Sequence, residues 1–511
     1  MDKSKTVFVS LMQKYWAEME QEKVYTSNIE NVEKNSHASS FVAKERNQQN
    51  EFTRSTAERK LVRKINYTFM PFVVFIIFIQ FVDKSTLSVA GVYSLFQDTH
   101  IDRSQFSWLG SIFYLGYLCM QPINSYLLQR LPTAQYVGTV LILWGACLAC
   151  TSLAKNFSQL AALRFLLGFF EAITYPSMFL LISTFYRRSE QVLWFGVMFM
   201  SNGLAGILGS IIGYAIGYMP TVGDISPWKW NMIIFGSLTA LTGIIFFFFL
   251  PDTPYSRWFR LSGEECSIVE ERIRDNAVVR TFHVNYSHIK EALLEPRLYC
   301  YCLISLLVNL QNGALTTFSA LIISDLGFSS GNSVLLNIPG GAVSIILVAC
   351  LITISRRYNE IIYVAMVACT ISMAGVICLA AIPGGGVKLI GLYLSWACNP
   401  AYILLQTSIS SNVSGYTKKI FYTSCNIVFY TFGNFIGPLM LVQKEAPRYI
   451  SGLSGYAAAN ALCIILYGYV RYTYVKENKK RNLDPRSDNI ALPDELEDLT
   501  DVENKHFTYR T

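Results

Sequence analysis

Twelve runs of mainly apolar residues, each about twenty residues long, dominate this 511-residue chain. A helix of that length crosses the roughly 30 Å hydrocarbon core of a bilayer, whereas membrane strands are about ten residues long and alternate in polarity. Only helices and closed barrels satisfy their backbone hydrogen bonds in lipid. We therefore predict an all-α integral membrane protein with twelve transmembrane helices, which start near Tyr67, Phe106, Ala134, Leu160, Val192, Trp230, Leu298, Ser333, Ile361, Leu389, Lys419 and Ile450.

A long polar connection divides the predicted helices into two sets of six. The sequence indicates a disordered tail over residues 1–65, a first six-helix half over 66–250, a central loop over 251–297, a second half over 298–475 and a C-terminal tail over 476–511. Both tails are rich in Asn, Gln, Lys, Glu and Asp, which is typical of disordered segments. Two similar six-helix halves with a site between them near the midplane are typical of a secondary transporter.

Lys and Arg residues collect on one side of the predicted topology. They are concentrated before the first helix, in the central loop and after the last helix. Because cytoplasmic flanks carry the excess of positive charge, we predict that these segments and both termini are cytoplasmic. The net charge of +7 then requires no nucleic-acid partner. Residues 1–66 contain no apolar core of a cleavable signal peptide, so the first helix is expected to act as a signal anchor.

Metal chemistry is not expected from this sequence. Of the twelve Cys residues, all but Cys266 fall in or at the edge of apolar runs, and none of the five His residues lies inside a predicted helix. No group of Cys and His has the spacing of metal ligands. These patterns argue against a membrane enzyme with a His-bound metal, and we expect no enzyme activity, no cofactor and no metal.

Charged residues inside the fourth predicted helix are the strongest functional signal, because each costs roughly 2.5–3.5 kcal/mol at the bilayer centre. In RFLLGFFEAITYPSM, one helix face carries Arg164, Gly168 and Glu171. That face is expected to look into the bundle or a cavity, and Gly168 would let a neighbouring helix or a substrate approach closely. We interpret Glu171 as a proton acceptor and Arg164 as a fixed positive charge for substrate. The alternative is that both pair with polar groups of adjacent helices.

Predicted helices 1, 7 and 10 contain further candidates. Adjacent residues on a helix point about 100° apart, so of Asp83 and Lys84 one is expected to face the cavity and the other a neighbouring helix. Asp83 is the second candidate for proton coupling. The further candidates for substrate binding are Lys84, Asn309, Asn312 and Gln406. Interhelical hydrogen bonding is the alternative role for each amide.

Predicted helix 5 carries a row of glycines in the sequence NGLAGILGSIIGYAIGY. Steps of three or four residues place these glycines on one face, which is typical of close helix packing in membranes. The same face is a candidate surface on which the two halves rock. A nucleotide-binding glycine loop is excluded because no strand precedes this segment.

Several motifs carry a family resemblance. They are RFLLGFFEAITYPSM followed by FYRRSEQ, FVDKSTLS in helix 1, LPDTPYSRWFRLSGEE after helix 6, NVSGYTKK after helix 10, NFIGPLMLVQKEAPRY in helix 11 and DLTDVENKHFTY in the tail. Together they resemble the major facilitator superfamily, in the version found in anion:cation symporters, and within it the fungal allantoate permease family. One position departs from the superfamily pattern: Gln129 stands before Arg130 where an acidic residue is usual.

The resemblance implies a carrier that works by alternating access in the plasma membrane. Its expected activity is uptake of a small organic anion together with protons. Relatives of this kind carry allantoate or ureidosuccinate, carboxylate vitamins, small peptides or sulfur-containing anions, and the resemblance does not choose among them. The expected partners are this anion, protons and the lipid bilayer.

A second function class fits the same fold. A nutrient sensor with the carrier fold would bind ligand and transport little. A long cytoplasmic signalling domain would favour the sensor. The predicted tails are short, and this favours the carrier.

Overall fold

A computed structural model describes residues 56–219, 225–276, 285–382, 385–446, 448–482, 499–504 and 507–510. Most of these residues lie in helices, joined by short connections and 3₁₀ turns. In chain order the helices are α1 Thr56–Val92, α2 Leu95–Thr99, α3 Arg103–Arg130, α4 Thr133–Cys150, α5 Phe157–Glu171, α6 Thr174–Phe185, α7 Arg188–Gly217, α8 Pro227–Phe249, α9 Gly263–Asn276, α10 Tyr286–Leu294, α11 Pro296–Asp325, α12 Ser330–Leu335, α13 Ile338–Tyr358, α14 Ile362–Ala381, α15 Lys388–Ser395, α16 Cys398–Asn412, α17 Tyr416–Ile436 and α18 Ile450–Asn482.

The twelve predicted transmembrane helices all occur as helical segments at the predicted places. Among the described residues, nine segments are long and apolar enough to cross a membrane by length and composition. The other three predicted spans are α3, the α15–α16 pair and α17, which are helical but less uniformly apolar. The predicted tail lies outside the described residues up to position 55, and α1 begins at Thr56 rather than near Tyr67. Apolar runs mark the part of a helix inside lipid, and the helix itself continues into water.

Three predicted spans are each broken into two helices by a proline. The fourth span breaks between α5 and α6, the eighth between α12 and α13, and the tenth between α15 and α16. Each break lies two to four residues before Pro176, Pro339 or Pro400. A proline ring clashes with the carbonyl one turn earlier and removes a hydrogen bond there, which interrupts the helix. The first break follows Glu171 directly, so this carboxylate ends a helix in the middle of the span.

The two six-helix halves meet along two helix pairs. In the first half α4 packs on α8 and α3 packs on α5, and in the second α11 packs on α17 and α14 on α18. Between the halves, α7 packs on α13 and α3 packs on α17. A Cβ atom at Gly203 of α7 would lie 2.3 Å from the Ile345 side chain of α13. This contact confirms the close-packing role predicted for the glycines of the fifth span.

An ion pair joins the halves at the end of the bundle opposite the central connection. The Arg103 guanidinium binds both carboxylate oxygens of Asp325 at 2.6 Å. The Tyr449 hydroxyl lies 2.7 Å from both Arg103 and Asp325. Arg103 begins α3 of the first half and Asp325 ends α11 of the second half. We call these three residues the end clasp, because they join the two halves at this end of the bundle.

Breaking the end clasp is expected to open this end of the bundle. Hydrogen bonds to charged groups are worth about 1.5–3 kcal/mol, and the partial exposure of this pair places it near the lower value. A loss of about 1.5 kcal/mol changes the ratio of open to closed forms at this end by about tenfold. Asp325→Asn should therefore raise the labelling rate of a cysteine at Ser319, a buried position between the halves, by about tenfold. The measurement uses a thiol reagent added from the clasp side.

Arg471→Gln is the matched control for that experiment. Arg471 binds Glu360 at 2.6 and 3.2 Å, but both residues belong to the second half. Its loss should leave the labelling rate unchanged. Equal labelling rates in Asp325→Asn and the parent chain would show that the clasp does not hold this end closed.

The C-terminal tail was expected to be disordered, and this expectation is wrong for residues 499–504 and 507–510. Thr500 and Asp501 are no more than 1% exposed, and Tyr509 is 3% exposed. These residues pack against the second half at the end that carries the central connection. A composition rich in acidic residues concealed this docking, because the partners lie far away in sequence.

Candidate functional site

A lysine and a glutamate form an ion pair in the middle of the first half. The Lys84 ammonium of α1 lies 3.1 Å from a carboxylate oxygen of Glu171 at the end of α5. The Lys84 side chain is 11% exposed, whereas the Glu171 side chain is fully buried. A buried charge persists in a protein only when it is paired. The pair thus explains how the chain tolerates both charges inside the membrane.

Aromatic rings of α3 surround the Lys84 ammonium. The ring centres of Phe113, Tyr114 and Tyr117 lie 5.6, 6.0 and 5.8 Å from Nζ. A cation within about 6 Å of an aromatic face is attracted by the ring quadrupole. These rings help to hold the Lys84 ammonium in place, and they form a surface on which a planar molecule can lie. The sequence signal for this surface is the three-residue spacing of Tyr114 and Tyr117, which places both rings on one helix face.

Tyrosines of both halves approach the same ammonium. Tyr430 of α17 and Tyr175 of α6 are both close enough to Lys84 to interact with it electrostatically. The Tyr402 and Tyr430 rings pack at 5.1 Å. Gln406, a candidate from the sequence, donates a 2.7 Å hydrogen bond to the Tyr402 hydroxyl. Gln406 is therefore placed two side chains away from Lys84, on the opposite wall.

Asp83 and Arg164 lie together behind this pair. Asp83 is fully buried and Arg164 is 3% exposed. They interact electrostatically with each other and with Glu171. Among the described residues, neither Asp83 oxygen and neither Nε nor Nη2 of Arg164 has a hydrogen-bond partner. Of the two cations predicted inside the membrane, Lys84 is therefore the more exposed in this conformation.

Gly168 positions the helices that carry this site. We expected Gly168 to let a neighbouring helix or a substrate approach closely. The structure places helix α3 there, since a Cβ atom at Gly168 would lie 1.9 Å from the Phe113 carbonyl oxygen. A Cβ atom at Gly116 of α3 would in turn lie 2.0 Å from the Phe165 carbonyl oxygen. The two backbones therefore touch, and this contact sets the distance between Glu171 and the aromatic rings.

The amides of the seventh span mainly hold helices together. Asn309 is 2% exposed and donates to the Ser305 carbonyl at 2.7 Å. Asn434 of α17 donates to Asn309 and accepts from Asn312, at 3.3 and 2.9 Å. Asn312 keeps partial exposure, so it is the better placed of the two predicted substrate ligands. Gln311 donates to the Ser395 carbonyl at 2.7 Å and serves the same packing role.

A neutral polar pocket adjoins Lys84 between the two halves. Phe81, Ser85 and Ser88 line it from the α1 face next to Lys84. Asn202 lines it from the first half, and Asn399 from the second. No charged side chain lines this pocket within the described part of the chain. The pocket could not be predicted from the sequence, because its lining residues come from five separate spans.

Together these features form a two-part site. The ion pair offers a cation whose own carboxylate partner can be replaced, and the pocket offers neutral hydrogen-bonding groups. A carboxylate that gains a proton loses its attraction for Lys84. An anion can then take its place at the ammonium. The arrangement suits binding and release of an anion without any covalent step.

Comparisons with known proteins agree with this architecture. The profile of the Major Facilitator Superfamily matches residues 73–440. An uncharacterized transporter of Schizosaccharomyces pombe is 34% identical over 456 residues, which cover 88% of this chain and 89% of the relative. The allantoate permease of Saccharomyces cerevisiae is 30% identical over 473 residues, covering 88% and 86%. The thiamine pathway transporter THI73 of that yeast is 28% identical over 454 residues, covering 88% and 86%.

Solved structures share the fold at low sequence identity. A bacterial homologue of the human lysosomal transporter Spinster, in an inward-facing and unoccupied conformation, superposes with a TM-score of 0.64 and 16% identity, covering 81% of this chain and 98% of that one. A D-xylose–proton symporter gives a TM-score of 0.58 at 12% identity, covering 78% and 97%. The sequence match and the twelve helices in two halves lead to one conclusion: this chain is a membrane transporter that belongs to the Major Facilitator Superfamily.

Proposed function

We propose that this transporter takes up a small organic anion together with protons across the plasma membrane by alternating access. The observation that carries the proposal is the Lys84–Glu171 ion pair at 3.1 Å. An anion and a deprotonated Glu171 compete for one ammonium. Protonation of Glu171 frees Lys84 for the anion, so the two ligands enter the site together.

The aromatic rings and the neutral pocket restrict the class of anion. Phe113, Tyr114 and Tyr117 suit a planar or partly apolar body beside the acid group. Asn202 and Asn399 suit amide or hydroxyl groups. Allantoate or ureidosuccinate, a carboxylate vitamin, a small peptide and a sulfur-containing anion all meet these requirements. The similarity to an allantoate permease supports the first pair, without deciding among the four.

Uptake into proteoliposomes tests the proposal. Purified transporter is reconstituted with an imposed pH gradient, and labelled members of each anion class are offered separately. We expect at least one anion to accumulate in a way that a protonophore abolishes, while its uncharged amide analogue does not accumulate. Accumulation of neutral or cationic compounds without any anion would overturn the proposal. Binding of an anion without flux would favour the sensor function instead.

The orientation is a separate prediction. With the central connection in the cytoplasm, the glycosylation sequence at Asn156 faces outward and the one at Asn285 faces inward, and both side chains are exposed. An impermeant maleimide should label Lys155→Cys in intact cells. Tyr286 is 80% exposed, and a cysteine in its place should be labelled only after permeabilisation. The chain without an added cysteine gives the background. Detection of a glycan on Asn285 would show that the orientation is opposite to the predicted one.

A further inference from the structure

A buried lysine gathers three carboxylates at the end of the bundle that carries the central connection. The Lys418 ammonium, on a fully buried side chain, lies 2.7 Å from Glu291, 2.5 Å from Glu295 and 2.7 Å from Asp501. Glu291 belongs to α10, Glu295 precedes α11, and Asp501 belongs to the C-terminal segment 499–510. Arg297 lies 3.9 Å from Glu295, so three carboxylates face two cations and the cluster opposes any further negative charge.

The C-terminal segment makes a second set of contacts beyond this cluster. Asn412 at the end of α16 and Arg510 exchange two hydrogen bonds, at 2.9 and 2.7 Å. The Tyr509 ring stacks on Tyr474 of α18 at 4.7 Å, and the Arg481 guanidinium lies 4.7 Å from the same ring. The segment thus ties together the ends of α16, α17 and α18.

Thr500 lies near the start of the docked segment. It is fully buried, and its hydroxyl donates to Glu291 at 3.1 Å and accepts from the Glu503 backbone N–H at 3.1 Å. A Cβ atom at Gly415 would lie 3.2 Å from the Thr500 methyl group. The hydroxyl therefore has a carboxylate as its neighbour and no room for a larger group.

We propose that residues 499–504 and 507–510 form a releasable strap on the second half, and that phosphorylation of Thr500 releases it. Acidic residues precede and follow Thr500 in ELEDLTDVE, the type of sequence that an acid-directed kinase accepts. A phosphothreonine carries nearly two negative charges near neutral pH. Placed beside Glu291 and Asp501, these charges repel the docked arrangement and oppose its return.

The chemical step is an ordinary phosphoryl transfer. The Thr500 oxygen attacks the γ-phosphorus of ATP, and the bond from that phosphorus to the β,γ-bridging oxygen breaks. The hydroxyl proton passes to a base of the kinase, and ADP leaves. Because Thr500 is buried in the docked state, the kinase acts on the undocked fraction and traps it.

Release would loosen one end of the second half. The strap joins α10 of the central connection to the ends of α16, α17 and α18. Because α10 belongs to the connection between the halves, release of the strap would loosen the hold of the second half on that connection. This inference goes beyond the proposed function and does not depend on the identity of the substrate.

Hydrogen–deuterium exchange of the full-length purified chain tests the strap. The peptide that contains residues 499–510 is followed before and after treatment with an acid-directed kinase and ATP. We expect phosphate on Thr500 and at least a tenfold faster exchange of this peptide in the phosphorylated chain. Thr500→Glu should exchange fast without kinase. Thr500→Val, which keeps the shape, should stay protected and take no phosphate at this position.

A second variant tests access to the threonine. Tyr509→Ala removes a ring contact nine residues away from the acidic sequence, so it loosens the strap without altering what the kinase reads. Thr500 should be phosphorylated faster in this variant than in the parent chain. The proposal is overturned if the phosphorylated or Thr500→Glu chain stays protected. It is also overturned if Thr500 takes no phosphate in Tyr509→Ala.

Discussion

Replacing Glu171 with Gln is expected to preserve substrate exchange and to abolish accumulation. One pH unit corresponds to about 1.4 kcal/mol per proton, so a carrier that couples one proton to one anion concentrates it about a hundredfold across two pH units. Gln fixes the neutral state, in which Lys84 always has room for the anion. The accumulation ratio should then fall to about one, whereas counterflow at equal pH continues. Both quantities are measured in the same proteoliposomes.

Asp83→Asn is the matched comparison for that experiment. Asp83 is the rival coupling carboxylate, but it is fully buried beside Arg164. Its neutralisation removes one of the two carboxylates that interact electrostatically with the buried Arg164 guanidinium, which should destabilise the protein. We expect less folded transporter from Asp83→Asn, with coupling intact in the fraction that remains. Protonophore-sensitive accumulation by Glu171→Gln would instead make Asp83 the coupling residue.

The sequence predicted the spans because the hydrophobic pattern of a membrane helix is local. Each apolar run predicts a membrane helix without information from the rest of the chain, and the helices occur where the runs lie. The breaks before Pro176, Pro339 and Pro400 could also have been derived, since each proline clashes with the turn that precedes it. The ends of helices that continue into water were predicted less accurately. Composition marks where a helix leaves the lipid, whereas the helix itself ends at its last backbone hydrogen bond.

The pairing of charges could not be predicted from one sequence. Helical spacing shows that Arg164 and Glu171 share a face, but not which helix lies opposite. The structure places Lys84 against Glu171 and leaves Arg164 nearer Asp83. Our assignment of the substrate cation to Arg164 stays a prediction, and Lys84 is the cation with more exposure in this conformation.

The contacts of the C-terminal segment, which is polar, could likewise not be predicted from the sequence. Low hydrophobicity indicated a disordered tail, yet Asp501 is buried against Lys418. One buried ion cluster and the Tyr509 stack offset the ordering cost of a short segment, and neither appears in a compositional average. The family motif NVSGYTKK contains Lys418, but its partners lie 83 to 127 residues away.

The contact between α3 and α5 carries the second large prediction: Gly168→Ala should remove most of the folded transporter. The added Cβ atom would lie 1.9 Å from the Phe113 carbonyl oxygen, and backbone cannot yield as a flexible side chain can. Overpacking of this kind costs about 3 kcal/mol or more. Gly196→Ala is the matched control, because its Cβ atom would meet nothing within 4 Å. The measurement is the monodisperse fraction after detergent extraction, followed by thermal unfolding. Gly196→Ala should match the parent chain, since alanine also favours the helix.

Any Gly168→Ala protein that folds should have α5 displaced from α3, which moves Glu171 relative to the rings around Lys84. Its uptake should therefore be lost as well. Equal yield and unfolding temperature for the two variants would mean that the helices can separate freely at this contact, and that it does not position the ion pair.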